Sequence, residues 1–169
     1  MLPKIRKIVY ATGLGPAAPY VFRYALALAR LHKAEIVAVS GVEPLSPFAQ
    51  SLVELHISHA MSAEMHKKGR ETVKENLRRR IRLLCEKEEN GDKPDGCGVS
   101  DIRVVEGQPA QVVLAVADEI DADLIVMGSH RHTVLGEAVL GNTTSKVLHG
   151  TGRPVLVVRI PEGYREEGF

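Results

Sequence analysis

The chain alternates short apolar runs of strand length with longer amphipathic runs of helix length, and that alternation admits few folds. Ile5 to Ala11 reads as a first strand, followed by a helix over Ala17 to Leu31 that carries Tyr20, Tyr24, Leu28 and Leu31 at helical spacing. Glu35 to Val42 is a second strand ended by Pro44 and Pro47, and a long helical segment runs from about Gln50 to Glu89. Its inner face is Val73, Leu77, Ile81 and Leu84; Glu75 with Arg79 and Arg82 with Glu86 form i,i+4 pairs on the wet side. A bend or break is expected near Gly69, since an interior glycine costs about 1 kcal/mol relative to alanine. Gly91 to Gly98 is a loop dense in glycine and proline that joins the halves of one sheet. Beyond it come a strand at Asp101 to Val105, a helix from Pro109 to Ile120 with proline in its permissive first turn, a strand from Leu124, a helix opened by Gly141, and a last strand at Pro154 to Arg159. Each crossover is long enough to cover a sheet face, so the expected architecture is α/β: a three-layer sandwich around a five-stranded parallel sheet. In this reading residues 1–160 form a single domain, and Pro161 to Phe169 is a polar tail, frayed or draped on a neighbour.

Within that frame one stretch points to a ligand. Leu124 to Met127 is a continuous apolar run, as in a strand covered on both faces, and Gly128 is expected to let the backbone turn sharply at its end. Ligands of open α/β sheets sit at such carboxyl ends. Gly141 then precedes Asn142, Thr143, Thr144 and Ser145, four side chains able to cap a helix or to hydrogen-bond an anion beside its unpaired N–H groups. The same segment also fits a plain turn and helix cap, and the residues alone leave both readings open.

Composition narrows the partners. A chain of 169 residues buries about 70% of its unfolded surface, enough for a core without metal or disulfide staples. Lysine and arginine total 22 against 21 aspartates and glutamates, and tryptophan is absent, so neither a broad basic patch nor an aromatic platform for nucleic acid is expected. No apolar run reaches the roughly 18 residues that span a bilayer, and Met1 to Lys7 enters a strand without a signal-peptide pattern. The expectation is a cytoplasmic protein without membrane contact. Cys85 and Cys97 are accordingly expected to be reduced thiols.

The ordered set of the first strand with Thr12, Val105-Glu-Gly-Gln-Pro-Ala110, Ala122-Asp-Leu-Ile-Val-Met-Gly-Ser-His130, Gly141 and Arg153-Pro-Val-Leu-Val-Val158 resembles the universal stress protein family over nearly the whole chain. The resemblance implies the sheet order 3-2-1-4-5 and a homodimer formed through the last strand, here Val155 to Arg159. It also implies ATP or AMP as ligand, with magnesium as a companion ion. The ATP-binding branch carries glycine, two residues, glycine, nine residues, glycine, then serine or threonine. By that likeness the nucleotide-binding positions are Ala11, Thr12, Gly13, Gly41, Met127, Gly128, His130, Arg131, Gly141, Asn142, Thr143 and Thr144.

Gly128 and Gly141 stand at the first and last glycines of that pattern, and His130 and Thr144 match residues that line the phosphates. Four positions depart from it. Arg131 occupies the middle glycine, Asn142 the serine or threonine, Gly13 the place of an aspartate facing the adenosine, and Gly41 that of a valine packed on the base. A hydrogen bond to a charged group contributes roughly 1.5 to 3 kcal/mol, so losing the aspartate weakens adenosine binding by about tenfold to a hundredfold. Asn142 is the lesser change, being as good a cap as serine. Arg131 either clamps a phosphate bidentately or fills the pocket with its bulk. Gly13 and Gly41 remove side chains near the base and leave room for a different or larger ligand.

Other features have plainer readings. His59 and His66 lie two helical turns apart, roughly 10 Å, too far for one metal ion, and His56 with His59 reads as helix surface. Arg78, Arg79, Arg80 and Arg82 read as solvated charge, with an acidic partner as the lesser alternative; Met61 and Met65 read as core or dimer surface. Gly13-Leu-Gly15 lacks both the dinucleotide fingerprint and a P-loop lysine, and no nucleophile elbow, zinc-binding histidine pair or magnesium-holding carboxylate cluster is present. Turnover is expected to be slow or absent, with His130 beside a phosphate as the basis for occasional hydrolysis. The leading expectation is a nucleotide-binding sensor or adaptor of the stress response. The alternative is a nucleotide-free dimeric module that contacts protein partners, its ATP pocket degenerate.

Overall fold

The computed structural model describes residues 2–13, 15–88, 97–130, 132–134 and 137–167. In chain order the elements are β1 (Lys7–Ala11), α1 (Ala18–His32), β2 (Glu35–Val42), α2 (Pro47–Glu54), α3 (His59–Glu88), β3 (Val99–Glu106), α4 (Pro109–Glu119), β4 (Leu124–His130), β5 (His132–Val134), β6 (Glu137–Val139), α5 (Asn142–Gly150) and β7 (Val155–Ile160). The main sheet runs β3-β2-β1-β4-β7 with every pairing parallel, which is the order 3-2-1-4-5 when its own strands are counted.

Strand alternation divides the core in two. Ile8, Tyr10, Ile36, Ala38, Leu124 and Val126 face one side, where α1 and α3 bring Phe22, Leu26, Leu77, Ile81 and Leu84. Val9, Val37, Val39, Ile125 and Met127 face the other, where α4 and α5 bring Val112, Val113, Val116 and Val147. Burying one such side chain stabilises by about 1.5 to 3 kcal/mol. Asp123, just before β4, accepts N–H groups from Arg6 at 2.7 Å and Lys7 at 3.0 Å and so ties the entry of β1 to that of β4. Those backbone donors, Arg6 first, hold its carboxyl below the usual range.

Several local expectations need correction. On α1 the buried stripe is Val21, Phe22, Ala25, Leu26 and Ala29, while Tyr24 and Leu31 are exposed; the two alanines let the helix lie close to the sheet. The long helical segment is broken between α2 and α3, at residues 55–58, and not at Gly69, which sits inside α3 with open space around it. Glycine lowers helix propensity but keeps its N–H and C=O for the ladder, whereas serines supply the starts. Ser46 Oγ accepts from Ala49 N at 3.2 Å, and Ser58 Oγ from Met61 N at 3.4 Å. β4 does not turn at Gly128 but continues to His130, and a short antiparallel pair, β5 with β6, stands between it and the Gly141 helix. Among the described residues no helix is long and apolar enough to cross a membrane.

The expectation of free thiols is overturned. Cys85, near the end of α3, and Cys97, just before β3, are joined in a disulfide with Cα atoms 5.3 Å apart. Residues 91–96 of the intervening loop lie outside the described part. The pairing follows from topology: α3 packs beneath the strand it feeds, so both cysteines enter the same apolar cluster. Cross-linking a loop of this length stabilises by about 3 kcal/mol through the unfolded state. Cys97→Ser should therefore lower the urea midpoint, and reductant should lower that of the wild type to match while leaving the variant unmoved. A wild-type transition indifferent to reductant would contradict that contribution.

Candidate functional site

Because the sheet is parallel, the carboxyl ends of β1, β2 and β4 lie along one edge, and the strand order reverses between β1 and β4. A cleft of about 630 Å3 opens there. Ala11, Thr12 and Gly13 line it from β1, Val39 and Gly41 from β2, and Met127 and Gly128 from β4. The starts of three helices close around it: Ala17 and Ala18 of α1, Pro109 of α4, and Thr143 and Thr144 of α5.

Those helix starts share a property. The N-cap positions Ala17, Gln108 and Gly141 make no side-chain cap, whereas α2, which does not border the cleft, is capped by Ser46. At α1 the turn supplies a backbone bond instead, from Ala18 N to Gly15 O at 3.1 Å. At α5 the first N–H groups have no intrahelical acceptor and sit at the positive end of the helix dipole. Thr144 is buried and donates its hydroxyl to Gly128 O at 3.4 Å, so it links α5 to β4 instead of capping its own helix. Beneath them Tyr10 is buried, its ring 5.3 Å from Phe22, and its hydroxyl donates to Ala18 O at 2.9 Å. Burial pushes that hydroxyl far above the ordinary tyrosine range, against a smaller opposing effect of Thr12, so it remains protonated.

Two glycines owe their place to packing. A Cβ on Gly128 would lie 2.7 Å from Val21 Cγ2 and 3.0 Å from Ile160 Cδ1, so the glycine admits α1 and β7, not a turn. A Cβ on Gly41 would lie 2.6 Å from Pro109 Cα. The space expected beside Gly41 for a larger ligand is thus taken by the start of α4. Gly13 differs, since a Cβ there meets nothing within 4 Å.

Of the twelve residues expected at a nucleotide, eight line the cleft: Ala11, Thr12, Gly13, Gly41, Met127, Gly128, Thr143 and Thr144. Gly141 and Asn142 stand just outside as N-cap and first residue of α5. His130 ends β4, and Arg131 lies outside the described residues.

The residues missed are those after β7. Pro161, Glu162, Gly163, Tyr164 and Arg165 form a wall of the cleft. This tail is not frayed through residue 167 but docked on α1. Arg23 forks onto Glu166, with Nη2 to Oε1 at 2.9 Å and Nη1 to Oε2 at 3.0 Å, while its Nε donates to Glu88 at 2.6 Å and its Nη1 to Tyr164 OH at 2.9 Å. Tyr164 also donates to Glu166, its ring lies 4.9 Å from Tyr20, and Glu166 N donates to Pro16 O at 3.0 Å. A topological signal was available: the last strand of a parallel sheet must deliver the chain beyond it to the ligand edge.

Residues 4–159 match the sequence profile of the universal stress protein family. The chain belongs to that family. The universal stress protein MJ0577 of Methanocaldococcus jannaschii is 26% identical over 154 residues, spanning 91% of this chain and 94% of its own. A universal stress protein of Methanothermobacter thermautotrophicus is 28% identical over 160 residues, 94% of this chain and 99% of its own. The solved structure of MJ0577 superposes with a TM-score of 0.66 at 21% identity, covering 95% of this chain and all (100%) of that one. A universal stress protein in complex with cAMP superposes at 0.54 and 17% identity, covering 94% and 100%. At such identities the likeness of structures is one of fold.

The tail clamp of this universal stress protein titrates. Arg23, then Tyr164, lower the Glu166 carboxyl from 4.5 to about 2. A depressed folded value means that docking is at full strength above about 4.5 and is lost as the pH falls through about 2. Amide exchange at Tyr164 and Glu166 should stay protected down to that window and open below it, while Glu166→Gln should open it at neutral pH. Equal protection in the variant would remove the clamp from the account.

Proposed function

We propose that this protein binds an adenine nucleotide or a related phosphorylated ligand in the cleft and acts as a sensor or adaptor in a stress response. The observation that carries the reading is the uncapped start of α5, with Thr143 and Thr144, facing a cleft at the point where the strand order reverses. The relative with bound cAMP supports an adenine nucleotide as the ligand class. In this reading Thr143, Thr144 and the first N–H groups of α5 take the phosphates, and Ala11 to Gly13 with Met127 take the nucleoside. In this reading a magnesium ion accompanying ATP is held by phosphate oxygens and water. Pro109 against Gly41 narrows the nucleoside side and favours the second reading, a nucleotide-free interaction module.

The edge of the sheet suggests the assembly. Among the described residues β7 pairs only with β4 and no strand covers its other edge, and Val155, Leu156 and Val157 are half-buried. A homodimer through Val155–Ile160 would cover that edge. Sedimentation should then give twice the chain mass; a monomer at micromolar concentration would remove the dimer from the proposal.

Calorimetric titration with ATP and AMP decides between the two functional readings. Gly13 lines the cleft and a Cβ there meets nothing within 4 Å, so Gly13→Leu should weaken nucleotide binding and leave the melting temperature unchanged. A wild type that gives no heat up to about millimolar nucleotide would transfer the case to the interaction module.

A further inference from the structure

We propose that Arg165, delivered by the tail beyond β7, is the cation that holds the anionic group of the ligand; this rests on the reading of the cleft as a phosphate site. Two charged side chains stand among the described lining, Glu162 and Arg165, so that described lining carries no net formal charge and Arg165 is its positive member. Without it, a phosphate would meet a described lining of net charge minus one.

Arg165 is held in place and left available. Its neighbours on both sides are bound to α1 and the turn before it: Tyr164 through its hydroxyl to Arg23, Glu166 through the two-pronged pair with Arg23 and through its N–H to Pro16 O. Pro16 itself lines the cleft, so the backbone next to Arg165 is pinned to the cleft's lip. Arg165 has no hydrogen bond or ion pair with any other described residue, in contrast to Arg23, Arg70, Arg103 and Arg153, each of which is paired. Its guanidinium presents a planar fork suited to two phosphate oxygens, and α5 supplies N–H donors to the same cleft. The pinned tail removes much of the ordering cost that a free C-terminal arginine would meet on binding.

The clamp then works as a positioning device. Arg23 and Glu166 touch no ligand in this scheme; they fix the backbone that carries Arg165.

Calorimetry with ATP on the full chain tests this. Arg165→Gln should weaken ATP binding by about tenfold or more, and Arg165→Lys should recover part of the loss because it restores the charge without the fork. Glu166→Gln should also weaken ATP, and combining it with Arg165→Gln should add little, since both act through one group. Protection of the Glu166 amide in Arg165→Gln, measured by exchange, confirms that the clamp survives and that the loss is one of charge. If Arg165→Gln binds ATP as the wild type does, or if Arg165→Lys is as weak as Arg165→Gln, the role of Arg165 is overturned while the phosphate site stands. If the wild type binds neither ATP nor AMP, the phosphate site falls and this assignment with it.

Discussion

Parallel pairing of β1 with β2 on one side and β4 on the other is the constraint on which the rest depends. It brings three strand ends to one edge, and because α1, α4 and α5 each set out from that edge their N-termini lie there as well, α1 on one face and α4 and α5 on the other. Asp123 sets the register at the opposite end, where its carboxylate collects two N–H groups of the β1 entry. A slip of one residue would turn Ile8 and Tyr10 to the α4 side and break both halves of the core at once.

The large features were legible because each is encoded locally. Apolar runs such as Ile36 to Val39 have the length and β-branching of buried strands, and Gly141 followed by Asn142 and threonines is a helix start whatever surrounds it. What escaped depends on residues far apart in sequence. Nothing near Gly128 announces Val21 and Ile160, and nothing near Gly41 announces Pro109, yet those contacts determine why glycine stands at each place. The disulfide escaped because an argument from compartment outweighed the topology that brings the end of α3 to the start of β3. At the helix break the weaker signal was preferred, a glycine over the Ser58 that accepts an N–H from the next turn.

The polar design of the cleft is economical. Backbone donors at the helix starts, three threonine side chains and a buried neutral tyrosine supply its shape and hydrogen bonding. Charge comes from the tail alone among the described lining, and the tail is held from outside the cleft by Arg23. Binding surface and anchoring are thereby largely separated: the charged residues that fasten the wall, Arg23, Glu88 and Glu166, do not border the cleft, while Tyr164 and Pro16 belong to both.

That separation has a mechanical consequence. Glu88, one of the two carboxylates on Arg23, ends α3 three residues beyond Cys85, and Lys87 approaches Glu166 at 3.7 Å. The end of α3 is therefore a common abutment, braced covalently toward β3 and ionically toward α1 and the tail. A thiol reductant would release the first brace at the same helix end from which the second springs. The cleft wall and the sulfur bridge lie at different parts of the molecule but share one foundation.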